Sequence, residues 1–204
     1  MFFAAEASKE QACYVRFFNG ALGVAQADIY VNGDLFVSNL AHGAITPFHK
    51  AKAGAYNIEV RLKGEGTDMD YSELVSLMEG VAYTLAFVGD PNHLSMAIIT
   101  MDMSRQALRP NVRFANLLSH DMVVDIQIDE QKAVPGLMFR EVSEEIQIQP
   151  GSHKITIFNS DDEIIFEDEM EVKTGNSYLA LISGDVSNPQ NPPQMHVAED
   201  APIL

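Results

Sequence analysis

The stretch "DIYVNGDLFVSNLAHG", Asp28 to Gly43, reads as a β-hairpin. Asn32-Gly33 favours a two-residue type I′ turn, because both central residues must reach positive φ. A second stretch, "DIQIDEQKAVPGLMFR", Asp125 to Arg140, echoes it. Asp28-Ile29 matches Asp125-Ile126 at an offset of 125 − 28 = 97. The same offset aligns Val15-Arg16-Phe17 with Val112-Arg113-Phe114, Asn19 with Asn116, Leu40 with Leu137, Gly54 with Gly151 and Ile58 with Ile155. Side chains on a strand alternate between faces, so a one-residue slip would turn each strand inside out. A constant offset is what duplication of a packed sheet structure leaves behind.

Further along the offset falls to 95. Gly80 matches Gly175, Tyr83 matches Tyr178, and Gly89-Asp90 matches Gly184-Asp185. The two missing residues fall after Leu62, where "KGEGTDMD" faces "SDDEI", and surface loops absorb such changes cheaply. The sequence therefore predicts two homologous domains, 11–102 and 110–200, with a short joint over 103–109. "MSRQALRP" is too short and too apolar for a free linker, so packed domains are expected.

Turn signals recur every eight to twelve residues: Asn19-Gly20, Asn32-Gly33, Ala53-Gly54, Gly64 to Gly66, Glu79-Gly80 and Gly89-Asp90-Pro91. Between them lie short runs rich in Val, Ile, Tyr and Phe, the spacing of an all-β sandwich or barrel. "YNIEVRL" (Tyr56 to Leu62) alternates as a half-buried strand does. "AYTLAFVG" and "SYLALISG" are continuously apolar, as central strands are. "DYSELVSLMEG", Asp70 to Gly80, fits a helical turn or a strand equally. The aromatics Phe17, Phe18, Tyr30, Phe36, Phe48, Tyr56, Tyr83 and Phe87 sit mostly at strand positions and are expected in the core. In the second hairpin Asp129 and Glu130 replace Asn32 and Gly33. Glu is a poor type I′ residue, which predicts a differently built hairpin there, with a longer loop around Pro135-Gly136 and the largest difference between the domains at that tip.

The chain has 204 residues, 47% of them hydrophobic, a globular composition. Its net charge is −16, from 13 Lys and Arg against 29 Asp and Glu. That charge repels nucleic-acid phosphates and anionic lipid. No apolar run is long enough to span a membrane, and "MFFAAEASKEQ" has no basic region and too short an apolar run for a secretory signal. The single cysteine, Cys13, permits no intrachain disulfide and reads as a small buried hydrophobe.

Six histidines, His42, His49, His93, His120, His153 and His196, show no metal-ligand spacing, although His42 and His49 lie near strand ends that could meet. In the acidic run "SDDEIIFEDEMEV" (Ser160 to Val172), Asp161-Asp162-Glu163 reads as a turn. Glu167, Glu169 and Glu171 read as a solvent face, with Met170 and Val172 inward; such charged strands discourage edge pairing. Asp161, Asp162 and Glu163 are the candidate metal ligands, for calcium, but no Gly-containing calcium loop surrounds them. Ser119-His120-Asp121 are neighbours in sequence, and neighbours on an extended chain point apart, whereas a triad is assembled in space. No nucleophile elbow, phosphate loop or dinucleotide fingerprint occurs. No catalytic residue and no cofactor is expected.

Taken together, "YVRFFNG…ADIYVNGDLFVSNLAHGAITPFHKAKAGAYNIEVR" and "GVAYTLAFVGD" resemble the bacterial domain of unknown function family 4397. The matching positions are Val15, Arg16, Asp28, Tyr30, Val31, Asn32, Gly33, Leu40, Gly43, Gly54, Tyr56, Gly80, Tyr83 and Gly89. Where that family has His-Ala-Ser-Pro-Asp-Ala-Pro, this chain has Asn19 to Ala25, and Asn116 to Met122 in the second copy. The resemblance implies two tandem immunoglobulin-like or transthyretin-like antiparallel β-sandwiches, often on exported or envelope proteins, and no known reaction. The expectation is a non-catalytic protein in a binding, adhesion, envelope or assembly role, with a protein or cell-surface partner. The alternatives are a ligand- or calcium-binding module using its acidic loops, or a hydrolase with a site at the domain interface.

Overall fold

The computed structural model describes residues 12–63, 70–90, 92–103, 109–119 and 122–200. The glycine turn at 64–66, Pro91, most of the joint, and His120 and Asp121 lie outside that range, as does the stretch read for a signal. The described residues form sixteen strands and no α-helix. The chain divides into two compact units, the first built from eight strands and the second from the next eight.

The first unit comprises β1 (Ala12–Ala21), β2 (Gln26–Val31), β3 (Asp34–Ala41), β4 (His49–Lys52), β5 (Gly54–Lys63), β6 (Asp70–Leu77), β7 (Val81–Gly89) and β8 (Ser95–Asp102). They make two four-stranded sheets, ordered β4-β1-β7-β8 and β3-β2-β5-β6. The second unit comprises β9 (Asn111–Leu118), β10 (Val124–Ile128), β11 (Gln131–Leu137), β12 (Ile146–Gln147), β13 (Gly151–Phe158), β14 (Ile164–Val172), β15 (Ser177–Gly184) and β16 (Gln194–Glu199). Its sheets repeat the plan, β12-β9-β15-β16 and β11-β10-β13-β14. All pairings are antiparallel except β1 with β7 and β9 with β15. Each unit is thus a β-sandwich that departs from a purely antiparallel one by a single pair.

Alternation places the cores. Val15 and Phe17 of β1 and Leu85 and Phe87 of β7 meet Ile29 and Val31 of β2 and Ile58 and Val60 of β5 between the sheets. The second core repeats them with Val112, Phe114, Ala180, Ile182, Ile126, Ile155 and Ile157. Phe17 stacks on Phe87 with centroids 6.2 Å apart and takes the edge of Phe36 at 5.8 Å. Two aromatics leave the expected core. Tyr30 lies under the Arg61 guanidinium at 4.0 Å, and Phe48 under that of Arg16 at 4.2 Å. "DYSELVSL" is a strand, β6, because β5 offers it a full ladder and Val75 and Leu77 alternate into the core.

The second hairpin corrects the reading of its turn. Asp129 (φ 49°) and Glu130 (φ 65°) adopt the same left-handed pair as Asn32 (φ 52°) and Gly33 (φ 86°). Both turns have two residues, closing Val31 on Asp34 and Ile128 on Gln131. The reason is the first turn residue. Asn32 Oδ1 accepts from the Asn57 N–H at 2.9 Å, and the Asn32 N–H donates to the Asn57 carbonyl at 2.8 Å. Asp129 makes the same two bonds to Lys154, both at 2.9 Å. This side-chain clamp onto the neighbouring strand holds the turn whichever residue follows. Pro135-Gly136 is no longer loop either. It lies in β11, where Gly136 (φ 63°) occupies the bulge that Asn39 (φ 54°) occupies in β3.

The larger difference lies at the other end of the sequence pattern. β8 begins six positions after Gly89 (95 − 89), whereas β16 begins ten after Gly184 (194 − 184). Both glycines are forced by close approach. A Cβ on Gly89 would sit 2.3 Å from the His93 carbonyl oxygen, and one on Gly184 2.5 Å from that of Pro192.

Candidate functional site

Three pairs of polar side chains at equivalent positions are committed to the frame. Asn19 and Asn116 are fully buried. Each crosses between sheets, donating to the Leu40 or Leu137 carbonyl at 2.9 Å and accepting from the Ala21 or Leu118 N–H at 3.1 Å. The hydroxyls of Tyr83 and Tyr178 each accept, at 2.8 Å, from a backbone N–H five residues upstream, of Met78 and Lys173. This is the tyrosine corner of immunoglobulin-like sandwiches. Asp28 and Asp125 accept from the N–H at the bulge, of Asn39 at 2.8 Å and Gly136 at 2.6 Å.

These two aspartates are cations' partners as well, by different routes. Asp28 meets Lys63 of β5 at 2.7 Å, and Asp125 meets Lys132 of β11. Burial opposes ionisation of Asp28, but the bonds from Lys63 and Asn39 and the charges of Lys63 and Arg61 outweigh it and hold the carboxyl below its ordinary value. For Asp125 the bond from Lys132 and then the Gly136 N–H do the same. Of the shared arginines, Arg16 donates to Thr84 Oγ1 at 2.8 Å and Arg113 pairs with Asp200 at 2.5 Å.

The histidines are scattered among separate contacts. His42 Nδ1 lies 2.9 Å from the Ala21 carbonyl. His49 packs edge-on to Phe36, and burial lowers its pKa. His93 faces Asp90 at 3.2 Å on the surface. His153 joins Asp129 at 2.6 Å and the Gln149 carbonyl at 2.7 Å. Burial lowers its pKa, but those two bonds with the Asp129 and Glu171 charges raise it further, for a net rise. The Cys13 thiol is buried and pushed up by desolvation, with its backbone hydrogen bond opposing.

Asp161, Asp162 and Glu163 form an exposed turn between β13 and β14. Asn159 organises it, its Oδ1 accepting from the Asp161 and Glu163 N–H groups at 2.9 Å and its Nδ2 donating to Glu163 at 3.0 Å. Among the described residues no three or more His, Cys, Asp or Glu converge in a group that could hold a metal ion. They hold no helix long and apolar enough to cross a membrane.

Among the described residues, the sheet edges are the surfaces open to a partner strand. β3 and β11 are edges broken by bulges, and β11 also carries Pro135, devices that discourage added strands. β4 is four residues long and β12 two. β8 is an eight-residue edge in unbroken register with β7, and β16 is an edge of six residues. β6, eight residues in unbroken register with β5, and β14, nine residues with one irregularity against β13, are also edges, and they are equivalent strands at offset 95. Their inward residues agree, Val75 with Met170 and Leu77 with Val172, all buried. Their outward residues differ completely: Ser72, Leu74 and Ser76 in β6 stand where β14 has Glu167, Glu169 and Glu171. Leu74 is 70% exposed. The 95-residue offset was visible in the sequence, and applying it to this strand would have shown the contrast. The uncertain helix-or-strand reading of Asp70 to Gly80 concealed it.

A family model described as a domain of unknown function, DUF4397, matches the chain twice, over residues 13–117 and 110–202. No curated protein matches it.

Proposed function

The chain belongs to the DUF4397 family, with two copies of the domain in tandem, and from that premise we propose that it is a non-catalytic β-sandwich protein working by binding, in an adhesive, envelope or assembly role. One observation carries the reading. Three pairs of polar groups recur at equivalent positions and are used for the same structural bonds: Asn19 and Asn116, Tyr83 and Tyr178, Asp28 and Asp125. A catalytic centre concentrates polar groups with shifted pKa values in one cleft. Here the shifted carboxylates are spread over bulges, turns and exposed strand faces.

The contact surface in this reading is strand edge, since an edge can add a partner strand through main-chain hydrogen bonds. The test is fractionation of cells producing the tagged chain, combined with pull-down from each fraction. The expected result is an extracytoplasmic chain retaining a stoichiometric partner. A cytosolic, monomeric chain that captures nothing would overturn the proposal. Calorimetry with calcium separates it from the acidic-loop alternative: binding heat that disappears when Asp161, Asp162 and Glu163 are replaced by Asn and Gln would favour that alternative.

A further inference from the structure

We infer that β6 is a self-pairing edge, joining a second copy of this chain through an antiparallel β6–β6 ladder centred on Leu74. The inference rests on the assembly reading above and gives it a strand, a register and a partner.

The register follows from side-chain chemistry. Residues directly opposite in an antiparallel pair share a face, so a two-fold ladder must pair even positions with even and odd with odd. Centring on Glu73 would place two carboxylates opposite each other, which is destabilising. Centring on Val75 would leave Leu74 opposite Ser76. Centring on Leu74 sets Leu74 against Leu74 of the second copy, Ser72 against Ser76, Glu73 against Val75 and Tyr71 against Leu77, with no like charges opposed. It also sets the most exposed large apolar side chain among the described residues against its own copy. Glu73 stays partnered, because the Tyr71 hydroxyl donates to it within the strand.

β14 shows the same strand with this pairing closed off. The equivalent ladder would set Glu169 against Glu169, and Glu167 against Glu171 twice over. Two copies of a chain at −16 also repel at long range. That repulsion is screened beyond about 8 Å at about 0.15 M salt, so added salt tightens the dimer.

Sedimentation velocity on the full chain across a micromolar-to-millimolar series tests this. The expected result is a concentration-dependent monomer–dimer equilibrium that shifts toward dimer with salt. Leu74→Glu should lose it while keeping the melting temperature that the wild type shows when dilute and monomeric, since residue 74 points to solvent. Leu74→Cys should form a disulfide-linked dimer on oxidation, because opposed strand positions lie within disulfide reach. Ser72→Cys should not, because four residues of strand, about 13 Å, separate it from its own copy. A chain that stays monomeric throughout, a Leu74→Glu variant that still dimerises, or cross-linking through 72 but not 74 would each overturn the inference. A monomeric chain that still retains an envelope partner in pull-down would overturn this inference alone and leave the assembly reading standing.

Discussion

β6 and β14 occupy the same place in two copies of one fold, and they solve opposite problems. Inward, both supply apolar side chains to a core. Outward, β14 presents three glutamates and β6 presents a leucine between two serines. Core positions are constrained by packing, so duplication left them alike. Outward positions are constrained only by what the strand meets, so they record a difference in use. The two hairpins teach the complement: there the residues diverged and the geometry did not.

The comparison breaks most readily at the frame. Asn19→Ala and Asn116→Ala each leave a buried carbonyl and a buried N–H without partners. Each should destabilise its own sandwich by about 3 kcal/mol, measured by urea unfolding. Equal losses support a shared frame, and a loss confined to one copy would contradict it.

The turns sharpen it with a smaller effect of opposite sign in the two copies. Glu130 holds φ at 65° where the first copy has glycine, and a non-glycine left-handed residue costs about 1 kcal/mol. Glu130→Gly should stabilise the second sandwich by about that amount, and Gly33→Glu should destabilise the first. Thermal unfolding monitored for each sandwich checks both signs.

Much of this was legible in the sequence. The constant offset established duplication before any strand was placed, and the alternation of Tyr56 to Leu62 marked β5. The continuously apolar runs became β7 and β15, buried from Ala82 to Val88 and from Tyr178 to Gly184. Glu130 misled because turn propensity treats the two central residues alone, whereas the Asp129 carboxylate fixes the turn from the neighbouring strand. β6 was ambiguous because local pattern cannot report the ladder β5 provides. The tyrosine corner and the aspartate-capped bulges needed three-dimensional partners that no spacing announces. For the candidate site, the acidic turn was placed by sequence, but the unguarded edge emerged only when β6 was known to be a strand.

The smallest expected effect is the pH dependence of the hairpin His–Asp pair, which only the second copy has at that turn. His153 is raised above its ordinary 6.5, so its contribution is full below 6.5 and is lost as pH rises through the folded value. Asp129, whose bond from His153 and then the Lys154 N–H lower it from 3.8, contributes above 3.8 and loses that as pH falls through its depressed value. The pair is therefore intact between 3.8 and 6.5. The first copy has Asn32 and Tyr56 at these positions, and neither changes charge in that window. NMR titration should place the His153 midpoint above 6.5, and Asp129→Asn should bring it down; an unchanged midpoint would remove the coupling.

The most direct measurement of the difference between the copies is amide hydrogen exchange along β6 and β14 as protein concentration rises. The account predicts that exchange in Ser72 to Ser76 slows with concentration while exchange in Glu167 to Glu171 does not. Exchange independent of concentration in both strands, or equal slowing in both, would contradict it.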